Sequence, residues 1–151
     1  MTVPSIETKI SEAIRARVAA LPMASTFTIV WTDGPLPKKP DGEPETSYTP
    51  DPLKRYLRVT WTPNATQRQF IGSNDPHRRP GVLQIDVFGT VSQGSARAIE
   101  VAGQAAQHFE TDLWMSFQDV RVRVMKAPSV GPVFVGTHLQ APVLIELETY
   151  A

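Results

Sequence analysis

Cysteine is absent from the 151 residues. That absence removes disulfide frameworks, cysteine-ligated zinc, iron–sulfur clusters and thiol catalysis together. It fits synthesis in a reducing cytoplasm. Net charge is missing too, since fifteen Lys and Arg balance fifteen Asp and Glu. A nucleic-acid binder of the usual kind needs a surplus of cations against the phosphates, so that class is disfavoured. No run approaches the roughly 20 apolar residues of a membrane span. The N-terminus has no cationic start leading into an apolar stretch, so neither a membrane segment nor a signal peptide is expected. Glycine is sparse, nine against fourteen prolines. With 41% apolar residues the chain is too hydrophobic for wholesale disorder, and the prolines punctuate a folded unit. A mass of 16.7 kDa suits one domain with a core that needs no metal or disulfide.

Catalytic motifs are missing as well. There is no G-x-S-x-G elbow, no phosphate-binding GxxxxGK[ST] and no dinucleotide GxGxxG. The Gly89 to Gly94 turn lacks the lysine and third glycine of such loops and reads as a plain strand-to-helix turn. His77, His108 and His138 are dispersed, with no metal-ligand spacing. His108 falls near a helix end, where a cation suits the dipole. Asp86 stands beside Gln84 without a second carboxylate to form an acid/base pair, so it reads as a solvent-facing or interface residue. No catalytic residue, cofactor or metal is expected.

What is present is alternating periodicity. Ile6, Ile10, Ala13, Ile14, Val18 and Leu21 recur at helical steps behind a Pro4-Ser5 start, and Pro22 ends the run. Residues 26–32 read as a strand with Phe27, Ile29 and Trp31 on one side. A proline-rich arm follows at 34–54, longer than an ordinary loop. From Arg55 to Thr62, Leu57, Val59 and Trp61 oppose Tyr56, Arg58 and Thr60. A turn at Pro63-Asn64 leads to a short returning strand or arm at 67–71, then a second polar loop at 72–81. Leu83, Ile85 and Val87 then oppose Gln84, Asp86 and Phe88 in a strand to Thr90. A second helix, capped by Ser92 or Ser95, is to bury Ala98, Ile99, Ala102, Ala105, Ala106 and Phe109. Trp114, Met115 and Phe117 make an apolar connection. Val120, Val122 and Val124 form one strand, residues 133–135 a weak one, and Val143, Ile145 and Leu147 the last. Many strands with two helices predict an α+β domain on a mainly antiparallel mixed sheet.

Three groups of residues stand out as interface candidates. His77, Arg78 and Arg79 form the one compact basic site, and arginine is favoured in interface cores. Tyr56 and Arg58, with Phe88 and Leu144, put bulk on the outward row. Arg121 and Arg123 can pair with Glu146 and Glu148, within the chain or across copies. A small sheet with arms and no active site suits an assembly component. A small ligand-binding domain or enzyme with a dispersed site is the alternative from another class, and a DNA-binding module the third.

The run from Arg78 through Gly81 to the strand Leu83, Gln84, Ile85, Asp86, Val87 and Phe88, leading to Gly94 and a helix of spaced alanines, resembles a known signature. Together with the Tyr56–Val59 strand, the Pro63-Asn64 turn and the Ile6, Ile10, Ile14 helix, it is similar to the tail terminator proteins of lambda-like long-tailed phages and gene transfer agents. The resemblance spans from about residue 5 to the C-terminus. It implies a structural virion protein, made in the bacterial host cytoplasm and placed at the head-proximal end of the tail. It further implies a homo-oligomer, a hexameric ring that caps the tail tube, stops its growth and joins the head. Its implied partners are the tail tube protein and a head-completion or neck protein. DNA would meet it only by passage through the lumen, and no membrane is involved. Another head–tail connector or minor tail protein is the runner-up. The 34–54 arm is longer than this family's pattern.

Overall fold

The computed structural model describes residues 4–34 and 55–151. The expected proline-rich arm falls almost wholly outside the described residues. Helix α1 (Ile6–Ala19) starts where Ser5 Oγ accepts the Thr8 N–H at 3.2 Å, satisfying one of the first-turn donors. Its inward stripe is Ile10, Ala13, Ile14 and Val18, as the spacing predicts. Strands β1 (Thr28–Trp31), β2 (Tyr56–Pro63), β3 (Gln67–Arg68) and β4 (His77–Thr90) follow. A 3-10 turn then leads into helix α2 (Ser95–His108). The chain ends with β5 (Trp114–Phe117), β6 (Val120–Val124), β7 (Ser129–Val130), β8 (Phe134–Val135) and β9 (His138–Tyr150).

These strands form one sheet in the order β1-β2-β4-β9-β6-β5, with β3 beside β4, and β7 and β8 beside β9. β1 runs parallel to β2 and every other pairing is antiparallel. The predicted α+β class is therefore the observed one. Register aligns Leu57 with Val87, Val59 with Ile85, and both Leu83 with Ile145 and Ile85 with Val143. Period-two alternation puts all of these on one face, fully buried. There α2 covers β4 and β9, while α1 covers β5 and β6. Phe109 plugs the core just after α2. The opposite face carries a smaller cluster of Val30, Tyr56 and Phe88.

Several expectations are corrected. The polar loop read at 72–81 ends at Pro76, because His77 and Ala151 exchange both backbone hydrogen bonds at 3.0 Å and start β4. Two prolines hid this. Pairs that exchange bonds alternate along the ladder, so Pro80 turns its donor-less nitrogen away from β9, to the flank where β3 gives way to β2. The apolar connection at Trp114 to Phe117 is strand β5, since Met115 aligns with Val122 and Phe117 with Val120. In α2, Ile99 is exposed and Val101 takes the inward place, because the buried stripe is set by Ala98, Ala102 and Ala105. Neither Ser92 nor Ser95 caps α2. Gly94 holds that position at a φ of 76°, a backbone setting that side-chain-bearing residues disfavour.

Gly81 of β4 has a packing role. A Cβ there would lie 2.2 Å from the Trp61 ring, which covers the strand. Gly81→Ala should therefore destabilise the fold by about 1–3 kcal/mol through overpacking. Gly103→Ala, in open space on α2, should stabilise it by up to about 1 kcal/mol. Urea unfolding of both variants checks the pair, and equal effects would contradict this packing.

Candidate interaction surface

The sheet face away from both helices holds most of the singled-out residues, in three zones. At one end the Tyr56 and Phe88 rings stack at 4.4 Å and 4°. The His138 ring meets both edge-on at 5.4 and 6.2 Å. The stack borders a hollow of about 480 Å³ with Phe134 and Gln140 on its wall. The bulk expected to be exposed at Tyr56 and Phe88 is in fact buried by their mutual stacking, whereas Leu144 is exposed as read.

In the middle zone Asp86 is 1% exposed. Register sets it opposite Arg58, whose Nη2 and Nε donate to Oδ2 at 3.1 and 3.3 Å. Gln84 Nε2 donates to Oδ1 at 2.8 Å, and the Arg58 guanidinium also lies 5.0 Å from the Phe88 ring. The reading of Asp86 as solvent-facing is thus corrected: cross-strand and same-face neighbours saturate it.

The third zone is built on Glu148, 5% exposed. It accepts a hydrogen bond from Arg78 Nε at 2.8 Å and a short one from Arg123. Arg78 also donates to Gln67 Oε1 at 3.0 Å, and Arg123 lies 3.5 Å from Asp112. One carboxylate therefore ties β4, β9 and β6, with β3 held through Arg78. Burial opposes ionisation of Glu148, but the hydrogen bonds and charges of Arg78 and Arg123 outweigh it and hold its carboxyl below the usual value of 4.5.

The compact basic site is divided by the strand it sits on. Arg78 points to the Glu148 face. Arg79 points the other way, to Glu7 of α1 at 2.8 Å and the Ala151 carbonyl at 3.3 Å. His77 is half-buried beside them, its backbone paired with Ala151. The pairing foreseen for the last strands is right for Arg123 with Glu148. Glu146 instead meets Lys126 at 3.5 Å, and Arg121 lies 4.5 Å over the Trp114 ring. Lys126, Asp112 and Gln67 carried no spacing signal that would have marked them. His108 stands in the last turn of α2, at a helix end as read. Burial lowers its pKa, and its Nε2 lies 2.8 Å from the Arg17 carbonyl while Arg17 donates to the His108 carbonyl.

Among the described residues no group of three His, Asp or Glu could hold a metal, and no helix is long and apolar enough to cross a membrane. The buried carboxylates are both committed to arginines rather than poised toward a cleft. Such an arrangement suits a domain that works through its surface.

The comparisons agree with that class. A family described as phage tail terminator protein matches residues 9–146. The chain belongs to this family and is a structural protein of the bacteriophage tail. A solved structure of similar fold is 24% identical with a TM-score of 0.63, covering 92% of this chain and 94% of its own, and supports the fold alone. No curated protein matches the sequence.

Glu148→Gln should cost about 2–4 kcal/mol at neutral pH, since it leaves two arginines without their shared carboxylate. A lowered carboxyl pKa contributes stability above the unfolded value, and that stability is lost as pH falls through the folded one. The wild type should therefore lose more stability than Glu148→Gln on acidification from about pH 5. Parallel curves of urea midpoint against pH would contradict this.

Proposed function

We propose that the chain acts as a single tail-terminator-like domain that caps the phage tail tube as a ring. In this reading it ends tube polymerisation and presents the surface to which the head joins, in phages or in gene transfer particles. The observation that carries it is family membership over residues 9–146. The surface chemistry is compatible, because among the described residues the buried polar side chains are satisfied within the chain while several large apolar side chains stand exposed. Side-by-side copies in a ring meet through two different surfaces, so each protomer must offer one patch and accept another. The proposed partners are further copies of this chain, the tail tube protein and a head-completion or neck protein. DNA would contact only the lumen during passage. Of the sequence-predicted candidates, Arg121 is exposed and Arg58 half-buried, and these are the two proposed to face a neighbour.

Deleting the gene and imaging lysates by electron microscopy tests the reading. Tails of uncontrolled length, unattached to heads, are expected. Tails of normal length joined to heads would overturn it. Normal-length tails without heads would replace it with a head–tail connector role.

A further inference from the structure

Residues 64–76, between β2 and β4, are exposed throughout and form an arm with Phe70 and Ile71 near its tip. The tip braces itself. Arg68 Nε donates to the Phe70 carbonyl at 3.1 Å, and Gly72 N–H donates to Asp75 Oδ2 at 2.8 Å. At its start the arm is tied to the sheet by Asn64 N–H, which donates to the Pro80 carbonyl at 2.9 Å. Further out it is held by β3, where Gln67 lies opposite Arg78 and Arg68 opposite His77. His77 bonds its backbone to Ala151, so alternation along β4 turns the Arg78 backbone toward Gln67. A pairing of two residues is marginal by itself.

Side chains add a second tie at the same place. Arg78 Nη1 donates to Gln67 Oε1 at 3.0 Å, while its Nε donates to Glu148 Oε2 at 2.8 Å. The other carboxylate oxygen of Glu148 accepts a hydrogen bond from Arg123 of β6, which also lies 3.5 Å from Asp112. Four side chains thus make a continuous line of bonds from β6, through β9 and β4, to the arm. Its members differ in exposure. Glu148 is buried, whereas the Arg123 side chain is 37% exposed and open to a neighbour. Beside the Arg78 link lies a hollow of about 240 Å³, lined by Asn64 and Gln67 of the arm and by Met125 and Glu146. That space lets Arg78 swing once Glu148 no longer holds it.

We propose that Arg123, Glu148, Arg78 and Gln67 act as a relay that sets the order of the 64–76 arm from the β6 side of the sheet. Arg78 is the positioning residue. Its guanidinium holds Gln67 only while Glu148 fixes it, because a long side chain released from its carboxylate regains rotamer freedom. Arg123 fixes Glu148 in turn, since without it one carboxylate oxygen is left buried and unpaired. What the relay controls is the direction in which Phe70, 50% exposed, and Ile71, 94% exposed, project. A neighbour that drew Arg123 off with its own carboxylate would loosen the arm from three strands away. By reciprocity, a neighbour that held the arm would tighten the bond between Arg123 and Glu148. This coupling lies within one chain and does not rest on tube capping.

Amide hydrogen exchange of the full chain, resolved residue by residue by nuclear magnetic resonance, tests the relay. Gln67→Ala cuts the last link and should speed exchange of the residue 67 and 78 amides about three- to tenfold, with the urea midpoint little changed. Arg123→Gln lies outside the arm. It should nonetheless speed the same two amides by a similar factor, over and above any change at Leu83 and Ile145 in the core. In the Gln67→Ala background, Arg123→Gln should add less than about twofold at these amides, because the line is already broken. Should Arg123→Gln fail to fold, the reverse reading decides: Gln67→Ala, at an exposed position, should speed exchange of the Arg123 guanidinium protons at least about twofold. Arm amides unmoved by Gln67→Ala would overturn the relay. So would an Arg123→Gln effect equal in arm and core, additive effects in the double variant, or Arg123 protons indifferent to Gln67→Ala.

Discussion

The long antiparallel pairing of β4 with β9, from Arg78 opposite Tyr150 to Thr90 opposite His138, is the constraint on which the rest depends. It is the spine of the sheet, with β2 and β3 on one flank and β6, β7 and β8 on the other. Because side chains alternate, this one register decides two surfaces at once. Leu83, Ile85, Val143 and Ile145 go to the helices, while Asp86 and Glu148 go to the other face. A slip of one residue would carry those carboxylates into the apolar core and the aliphatic rows into contact with the arginines. Both errors are costly, so the hydrophobic pattern and the ion pairs select the same alignment.

Four arginines serve this register. Arg58 is matched to Asp86 across β2 and β4, and Arg78 and Arg123 converge on Glu148 from the two sides of β9. Arg79 fastens β4 to the first turn of α1 through Glu7. Among the described residues, the two buried carboxylates of this face, Asp86 and Glu148, are held by arginines of the same chain. Large apolar side chains are left exposed on the arm at Phe70 and Ile71, at Trp114 of β5, at Phe134 and Val135 of β8, and also at Leu144 of β9 and Ile99 of α2.

Much of the architecture was legible from periodicity. The stripe of α1, the inward rows of β2, β4, β6 and β9, and the Ser5 cap follow from spacing alone. Local chemistry misled where tertiary partners decide. Pro76 and Pro80 mimic a loop, but the C-terminal residues pair with His77 and extend the strand. Arg78 and Arg79 look like one basic patch, and only placing them in a strand reveals that they face opposite ways. The burial of Asp86 and Tyr56 depends on which residues lie across the ladder, information that a single strand does not contain. The exposed tip at Phe70 and Ile71 was hidden for the same reason, since two apolar residues in a row read first as strand.

The role proposed for this tail protein is that of a self-associating component that recognises the end of a tail tube. Molar mass by light scattering over a concentration series, alone and with purified tail tubes, tests it most directly. Either a closed multi-copy particle in solution or a monomer that binds tubes only at their ends is expected. A chain that stays monomeric at every concentration and ignores tubes would contradict it.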